Sequence, residues 1–421
     1  MKASLRHLIS QMLRLGSGEA LARIWGIITL LFLAHRFGVI VVGVYALGQT
    51  MSQHSLPFID FGLRHVGARL VAQYPQAARQ IVHRVQRRRI AMALALLPFL
   101  CIYAASTRLP WNLRACLLAF AASCTLHALS LDWLAWGRER LGLIGLGRSI
   151  IPLAMLVCAL AGRNSSDVLW WLVLGHVTGV LLNTVILWIW WKSQEPGSDE
   201  VVLLPLIQDS LAWQRTSILG LATLCNLAFN SIDMLMLGVM ARPEQVGLYS
   251  ASYRVINQVL YTYYLLTQVL YPQLARQNVE QRKRMLRPGI LLTLLGAGIG
   301  IAAALTVVRR PLLMLLFGHQ FLPATMLLLL LAWAIPLDFL TSYLSNAYIA
   351  WGMEKKILLC MAVAAGSNVV LNLIWIPAHG AAAAAVNTLI SYVILLASLA
   401  LAGWSARQLT SRAEPLSELI A

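Results

Sequence analysis

Apolar runs of about 20 residues, separated by short polar or basic stretches, recur along the whole chain. A run of that length matches the reach of a helix across the hydrocarbon core of a bilayer. Twelve such segments are expected: Ala20–Phe37, Val39–Phe61, Ile90–Ser106, Leu113–Ala135, Leu141–Ala161, Val168–Trp191, Leu211–Val239, Val246–Tyr271, Gly289–Val308, Ala324–Ala350, Ile357–Ile376 and Ala381–Gly403. None alternates with period two, so a membrane β-barrel is excluded. In lipid each backbone amide must be paired within its own segment, which leaves helices.

Two short patterns repeat six segments apart. Val42-Gly43-Val44-Tyr45-Ala46 opens the second segment, and Val246-Gly247-Leu248-Tyr249-Ser250 opens the eighth. Ala135-Trp136-Gly137-Arg138-Glu139-Arg140 closes the fourth, and Ala350-Trp351-Gly352-Met353-Glu354-Lys355 closes the tenth. A shift of six preserves helix direction, so the pattern predicts parallel repeats with a cavity between them. The expected layout is an all-α membrane protein. It has a six-helix lobe over 1–192, a polar linker over 193–210, a second six-helix lobe over 211–404 and a tail over 405–421.

Composition agrees with this reading. Hydrophobic residues make up 59% of the 421 and charged residues only 12%, against roughly a quarter charged in soluble chains. The net charge of +17 would suggest nucleic acid on a soluble protein. Here most Lys and Arg lie in segments that share one side of the membrane if the N-terminus is cytoplasmic, which also places the C-terminus there. No nucleic-acid partner is expected. The N-terminus is basic, without a small-residue cleavage site before a short apolar core, and is not read as a removed signal peptide. The six cysteines lie in apolar segments without C-x-x-C spacing and read as small embedded residues.

No catalytic or nucleotide motif is present, so the chain is not read as an enzyme, and no cofactor or metal is expected. The histidines are scattered and none is singled out as a ligand. Gly296 and Gly300 have the spacing of close helix packing. The stretch Arg64 to Arg89 is basic, with Val66, Leu70, Val71, Ile81, Val82 and Val85 interleaved, as in a helix lying on anionic lipid. Asp60 and Asp132 fall at span ends and read as interfacial anchors.

Charges within spans are costly and mark interior sites. Glu19 and Arg23 share a helical face; Arg23 is open to two readings, a local ion pair or a contact with an anionic headgroup. Asn226, Asn230 and Asp233 form a stripe at i, i+4 and i+7. Arg254 lies at comparable depth, either pairing with Asp233 or holding a substrate phosphate. Asp338 follows Pro336 near the middle of a span and could hold a proton or sodium ion. The candidate set is Arg23, Arg254, Asn226 and Asn230 for a polar headgroup, and Asp233 and Asp338 for a coupling ion or proton.

Three stretches carry a family resemblance. The first runs from Gly18-Glu19-Ala20-Leu21-Ala22-Arg23 through Phe37-Gly38 to Asp60-Phe61-Gly62-Leu63. The second is Asn230-Ser231-Ile232-Asp233-Met234-Leu235-Met236-Leu237-Gly238, continued by Val246 to Arg254. The third is Leu316-Phe317-Gly318, with Ala350-Trp351-Gly352, Asn368, Asn372 and Ile376-Pro377. With these the chain resembles the Wzx-type polysaccharide and O-antigen flippases of the multidrug/oligosaccharidyl-lipid/polysaccharide exporter superfamily. The resemblance implies two six-helix lobes around a cationic cavity in the bacterial inner membrane. It implies movement of an undecaprenyl-diphosphate-linked oligosaccharide from the cytoplasmic to the periplasmic leaflet, usually coupled to an ion gradient. It also places Arg23 and Arg254 where arginines line the cavity of related flippases. Partners would be that substrate, membrane lipid, and the polysaccharide polymerase and glycosyltransferases as candidate proteins. The alternatives are a cation-coupled small-molecule or drug antiporter of the same fold and, more distantly, a membrane glycan polymerase.

Overall fold

The computed structural model describes residues 2–194, 213–275, 288–351 and 353–417; within these, the side chains of 2–15, 213–216, 218, 219, 222, 226, 228, 265–275, 350 and 404–417 fall outside the description. All regular structure among these residues is helical. The chain forms two compact units, Met1–Leu224 and Cys225–Ala421. Nearly all of the expected linker over 193–210 lies outside the described residues.

The first unit contains α1 (Lys2–Phe37), α2 (Val39–Asp60), α3 (Leu63–Gln73), α4 (Ala78–Ser106), α5 (Trp111–Cys124), α6 (Asp132–Gly137), α7 (Leu141–Ala159) and α8 (Ser165–Ser193). The second is built from α9 (Trp213–Met240, which starts before the boundary), α10 (Pro243–Ala275), α11 (Pro288–Phe317), α12 (Thr325–Ala332), α13 (Ile335–Ala350), α14 (Glu354–His379) and α15 (Ala381–Ser417). Among the described residues, nine helical stretches are long and apolar enough to cross a bilayer. Their outer faces carry large bare side chains, with Phe99 70%, Val307 79% and Leu315 78% exposed. Such surface is stable against lipid tails and would be an aggregation liability in water. By contrast α2 carries Gln49, Thr50, Ser52, Gln53, His54 and Ser55, and most of it is buried in protein. Gly38, at φ 83°, permits the tight turn between α1 and α2.

Glycines set the closest approaches in the first unit. A Cβ on Gly18 of α1 would lie 2.3 Å from the Gly145 backbone of α7, and one on Gly175 of α8 would lie 2.6 Å from the Met155 Cα. Without a hydrophobic drive between helices in lipid, this backbone proximity supplies dispersion contact. Glu19 and Arg148 form an ion pair across the same α1–α7 seam. The expected packing role of Gly296 and Gly300 is corrected: both face open space, and it is Gly298 whose Cβ would meet Pro336 Cα at 2.6 Å. The i, i+4 spacing found a glycine pair but not the face that packs.

The Arg64–Arg89 stretch is helical, but its apolar face is not laid on lipid as expected. Val66, Leu70, Val71, Ile81, Val82 and Val85 are buried with Leu131, Trp133 and Leu134 and with Leu187 and Trp191 of α8. A neighbouring protein surface was available for that face, so the stretch folds back as α3 and the start of α4. Arg69, Arg79, Arg87 and Arg88 remain exposed.

The fourth expected span is interrupted. After α5 the chain makes a 3₁₀ turn over Thr125–Leu129 and restarts as α6. Side chains from outside the segment bond the carbonyls around the break. Gln86 Nε2 donates to Ala128 O at 2.7 Å. Arg89 donates to Ser130 O and, at 3.2 Å, to His127 O. Trp188 Nε1 donates to Leu129 O at 3.0 Å. Arg89 is itself 3% exposed and pairs with Asp60 Oδ1 at 2.8 Å. Asp60 is therefore the partly buried counter-ion of a buried arginine rather than an interfacial anchor, and Asp132 accepts from Ser130 Oγ at 2.6 Å. The tenth segment is also broken, between α12 and α13, where Pro336 stands in the first turn of the new helix and lacks the N–H a continuous helix would use.

Removing one member of a buried ion pair strands the other, at a cost of about 3–5 kcal/mol. Arg89→Leu is expected to lower the thermal unfolding temperature of the solubilised protein sharply, whereas Arg87→Leu, on the exposed face, leaves it near the native value. Equal temperatures for the two variants would show that the break does not depend on Arg89.

Candidate functional site

Asp233, the last residue of the stripe on α9, and the mid-span carboxylate Asp338 on α13 come together in the second unit. Asp233 is 4% exposed. It accepts from the Tyr249 hydroxyl of α10 and from its neighbour Met234 N–H at 2.8 Å, and the Thr388 hydroxyl of α15 stands 3.4 Å away. Tyr249 occupies the i+3 position after Val246 in the repeated Val-Gly-Leu-Tyr pattern, and one helical turn later Tyr253 stacks on it with ring centroids 5.9 Å apart. The Tyr253 hydroxyl donates to the backbone carbonyl of Asn230.

Asp338 lies in the first turn of α13. It is hydrogen-bonded by the Tyr392 hydroxyl of α15, and Ser342 Oγ is 3.4 Å from its Oδ1. Tyr253 and Tyr392 each lie within electrostatic reach of both carboxylates. The site thus consists of two acids and three phenols, drawn from α9, α10, α13 and α15. Tyr263 closes one edge, stacked on Phe339 at 4.0 Å and donating to its carbonyl at 2.7 Å.

Behind this cluster runs an amide ladder between α14 and α15. Asn387 Nδ2 donates to Asn372 Oδ1 at 2.9 Å, Asn372 Nδ2 to Asn368 Oδ1 at 2.8 Å, and Asn368 Nδ2 to Ser391 Oγ at 3.0 Å. All four residues are buried. The two that cross between helices, Asn387–Asn372 and Asn368–Ser391, are of a kind worth roughly 0.6–2 kcal/mol each in membranes.

The other expected site residues are placed differently. Arg254 follows Tyr253 on α10 and is partly exposed. Asn230 is exposed and reaches the cluster through its backbone. Asn226 is on α9, but its side chain lies outside the described residues. Arg23 is partly exposed on α1 in the first unit, while Glu19, its helical neighbour, pairs with Arg148. Tyr249, Tyr253, Tyr392 and Thr388 were not singled out from the sequence. Their signal was present as i, i+4 pairs, Tyr249/Tyr253 on α10 and Thr388/Tyr392 on α15, but only the carboxylates drew notice because charge in a span is the louder feature.

Residues 146–326 match the model of a family described as polysaccharide biosynthesis protein. Solved structures share the fold. The lipid II flippase MurJ in an inward closed conformation aligns with a TM-score of 0.71 at 15% identity, covering 92% of this chain and 87% of that one. An inward-facing multidrug resistance MATE family transporter of the MOP superfamily aligns at 0.59 and 11% identity, covering 92% and 99%. A Vibrio cholerae MATE transporter in the bent form aligns at 0.56 and 14% identity, covering 98% of each chain. No curated protein sequence matches the chain. The protein therefore has the fold of multi-pass membrane transporters.

Tyr249→Phe removes one of the donors to a buried carboxylate, at a cost of about 1–3 kcal/mol. The expected outcome is a lower unfolding temperature, with no effect from the same change at exposed Tyr264. Matching losses in both variants would separate Tyr249 from the acid cluster.

Proposed function

We propose that the protein carries a polyprenyl-diphosphate-linked oligosaccharide from the cytoplasmic to the outer leaflet of a bacterial inner membrane by alternating access. The observation that carries this reading is the match of residues 146–326 to a polysaccharide biosynthesis family. The stronger likeness to a lipid-linked substrate flippase than to the two multidrug transporters supports it. A diphosphate and a glycan cannot cross about 30 Å of hydrocarbon unaided. A polar interior would shelter the head while the polyprenyl tail stays in lipid, in a chain read as two six-helix lobes over 1–192 and 211–404. Both termini would be cytoplasmic.

In this reading Arg23 and Arg254 hold the diphosphate, because guanidinium meets phosphate oxygens with two parallel hydrogen bonds and keeps its charge when desolvated. Asn226 and Asn230 offer amides to the glycan. The acid cluster suits a coupling proton. Thr388 Oγ1 donates to Ala384 O at 2.9 Å, so it presents lone pairs to Asp233, the partner a protonated carboxyl group needs. Asp338, with Tyr392 and Ser342 around it, is the second proton-binding group. The driving force comes from an ion gradient, there being no nucleotide motif. Polysaccharide polymerase and glycosyltransferases would act on the delivered or supplied lipid-linked sugar.

Deleting the gene is expected to leave an untranslocated oligosaccharide lipid in the inner leaflet, recovered by lipid extraction. Normal lipid-linked sugars together with increased drug sensitivity would point instead to the multidrug antiporter reading. In reconstituted vesicles, Arg23→Ala and Arg254→Ala should each reduce movement of the lipid-linked sugar by tenfold or more while the protein still inserts. With Asp233→Asn and Asp338→Asn, transport should lose its response to an imposed proton gradient. An unaltered response in both variants would remove these carboxylates as coupling groups.

A further inference from the structure

Two histidines that the sequence leaves far apart meet inside the first unit. His127 lies in the 3₁₀ turn that interrupts the fourth span, and His176 in the middle of α8. Their rings stand edge to face, 5.4 Å between centroids, and both residues are buried, His176 at 1% exposure. Ser52 of α2 joins them: its Oγ is 3.0 Å from His127 Nε2 and 3.3 Å from His176 Nε2. On the far side of His176, Nδ1 is 2.8 Å from Ser123 Oγ of α5, and Phe120 stacks on the ring at 4.5 Å.

The direction of each hydrogen bond follows from counting protons. Ser123 spends its single hydroxyl proton on Phe120 O at 2.6 Å, so toward His176 it can only accept, and His176 Nδ1 carries a proton. A neutral imidazole with a proton on Nδ1 has a bare Nε2, which accepts from the Ser52 hydroxyl. Ser52 has then used its own proton and must accept from His127, whose proton sits on Nε2. The chain runs one way: His127 Nε2–H to Ser52 Oγ–H to His176 Nε2.

We infer that His127, Ser52 and His176 form a proton-binding relay in the first unit, in which one added proton is shared by two imidazoles through a serine hydroxyl. A proton taken up at His127 Nδ1 makes that ring cationic. Its Nε2 proton passes to Ser52 Oγ as the serine proton passes to His176 Nε2, leaving His127 neutral and His176 cationic. One proton enters, one positive charge moves from ring to ring, and no other bond changes.

The relay is set among other ionisable groups. Arg89 of α4 bonds the His127 carbonyl and is paired with Asp60 of α2. Asp132 of α6 is within electrostatic reach of His127. His54 of α2 is turned back onto Thr50 O at 2.8 Å, and the Cys124 thiol of α5 bonds Phe120 O while its sulfur lies within hydrogen-bond reach of the Ser52 and Ser55 hydroxyls. Asp132 is the acid near His127 that is not already paired with Arg89, and it offers the positive ring a counter-charge. This deepens the transporter reading and rests on it for its purpose: a proton held in the first unit would be separate from any held by Asp233 and Asp338.

The test is nitrogen-15 spectroscopy of histidine-labelled protein in lipid bilayers between about pH 2 and 8, a range that reaches well below the one where exposed imidazoles change charge, with His127→Gln and His176→Gln assigning the resonances. At neutral pH the proton is expected on Nε2 of His127 and on Nδ1 of His176. On acidification both rings should follow one curve with uptake of one proton per pair, and Ser52→Ala should split that curve into two. His127 protonated on Nδ1, or two separate curves in the native protein, overturns the relay. If Ser52→Ala does not fold, the two tautomers and the single curve of the native protein decide. Vesicles that move lipid-linked sugar while the tautomers are wrong discard the relay alone. The expected tautomers in a protein that moves no such lipid discard the function and keep the relay.

Discussion

A helix interrupted inside hydrocarbon must find partners for the carbonyls it releases, and much of the first unit can be traced to that requirement. No water is at hand to bond them, and each orphan would cost several kcal/mol. Around the break after α5 the carbonyls of Ala128, Leu129 and Ser130 are met by Gln86, Trp188 and Arg89 from α4 and α8, and Arg89 also reaches the His127 carbonyl, which already accepts from Ser130 N–H. Arg89 in turn needs an anion, which fixes Asp60 at the end of α2. The same turn delivers His127 to Ser52 and His176. A local failure of helical bonding thus ties five elements into one network.

The second unit meets the constraint differently. Its broken span is eased by Pro336, which brings no donor to strand, and its polar groups are gathered into an acid and phenol cluster backed by an amide ladder. The fold is one shared with solved membrane transporters, and residues 146–326 match a polysaccharide biosynthesis family. The proposed flippase activity sits on top of these, with the two units supplying separate polar interiors.

The helical segments were legible because hydropathy acts through chain-long averages: a run of apolar residues in lipid has one stable backbone. The carboxylates were legible because charge in hydrocarbon is expensive wherever it sits. What escaped was direction. Arg89 belongs by sequence to a basic loop and by structure to the interior, since nothing in its neighbours announces the broken span it serves. The apolar face of α3 and α4 predicted burial correctly and its partner wrongly. Gly298, not the Gly296–Gly300 pair, meets another helix because facing is set by tertiary packing. His127 and His176 meet through topology alone, and no spacing rule could pair them.

The amide ladder between α14 and α15 has a mechanical corollary. Asn368 and Asn372 of α14 meet Ser391 and Asn387 of α15 over one turn of each rod, and both cross-links are ill-suited to slide because a one-residue offset would leave amides bare in a greasy surround. The pair therefore travels as a single stiff bracket. The helical bonding that this bracket keeps intact is interrupted at Trp333 and Ala334, where α12 gives way to α13, and Asp338 stands one turn beyond that joint, bonded through its own N–H to the Ala334 carbonyl.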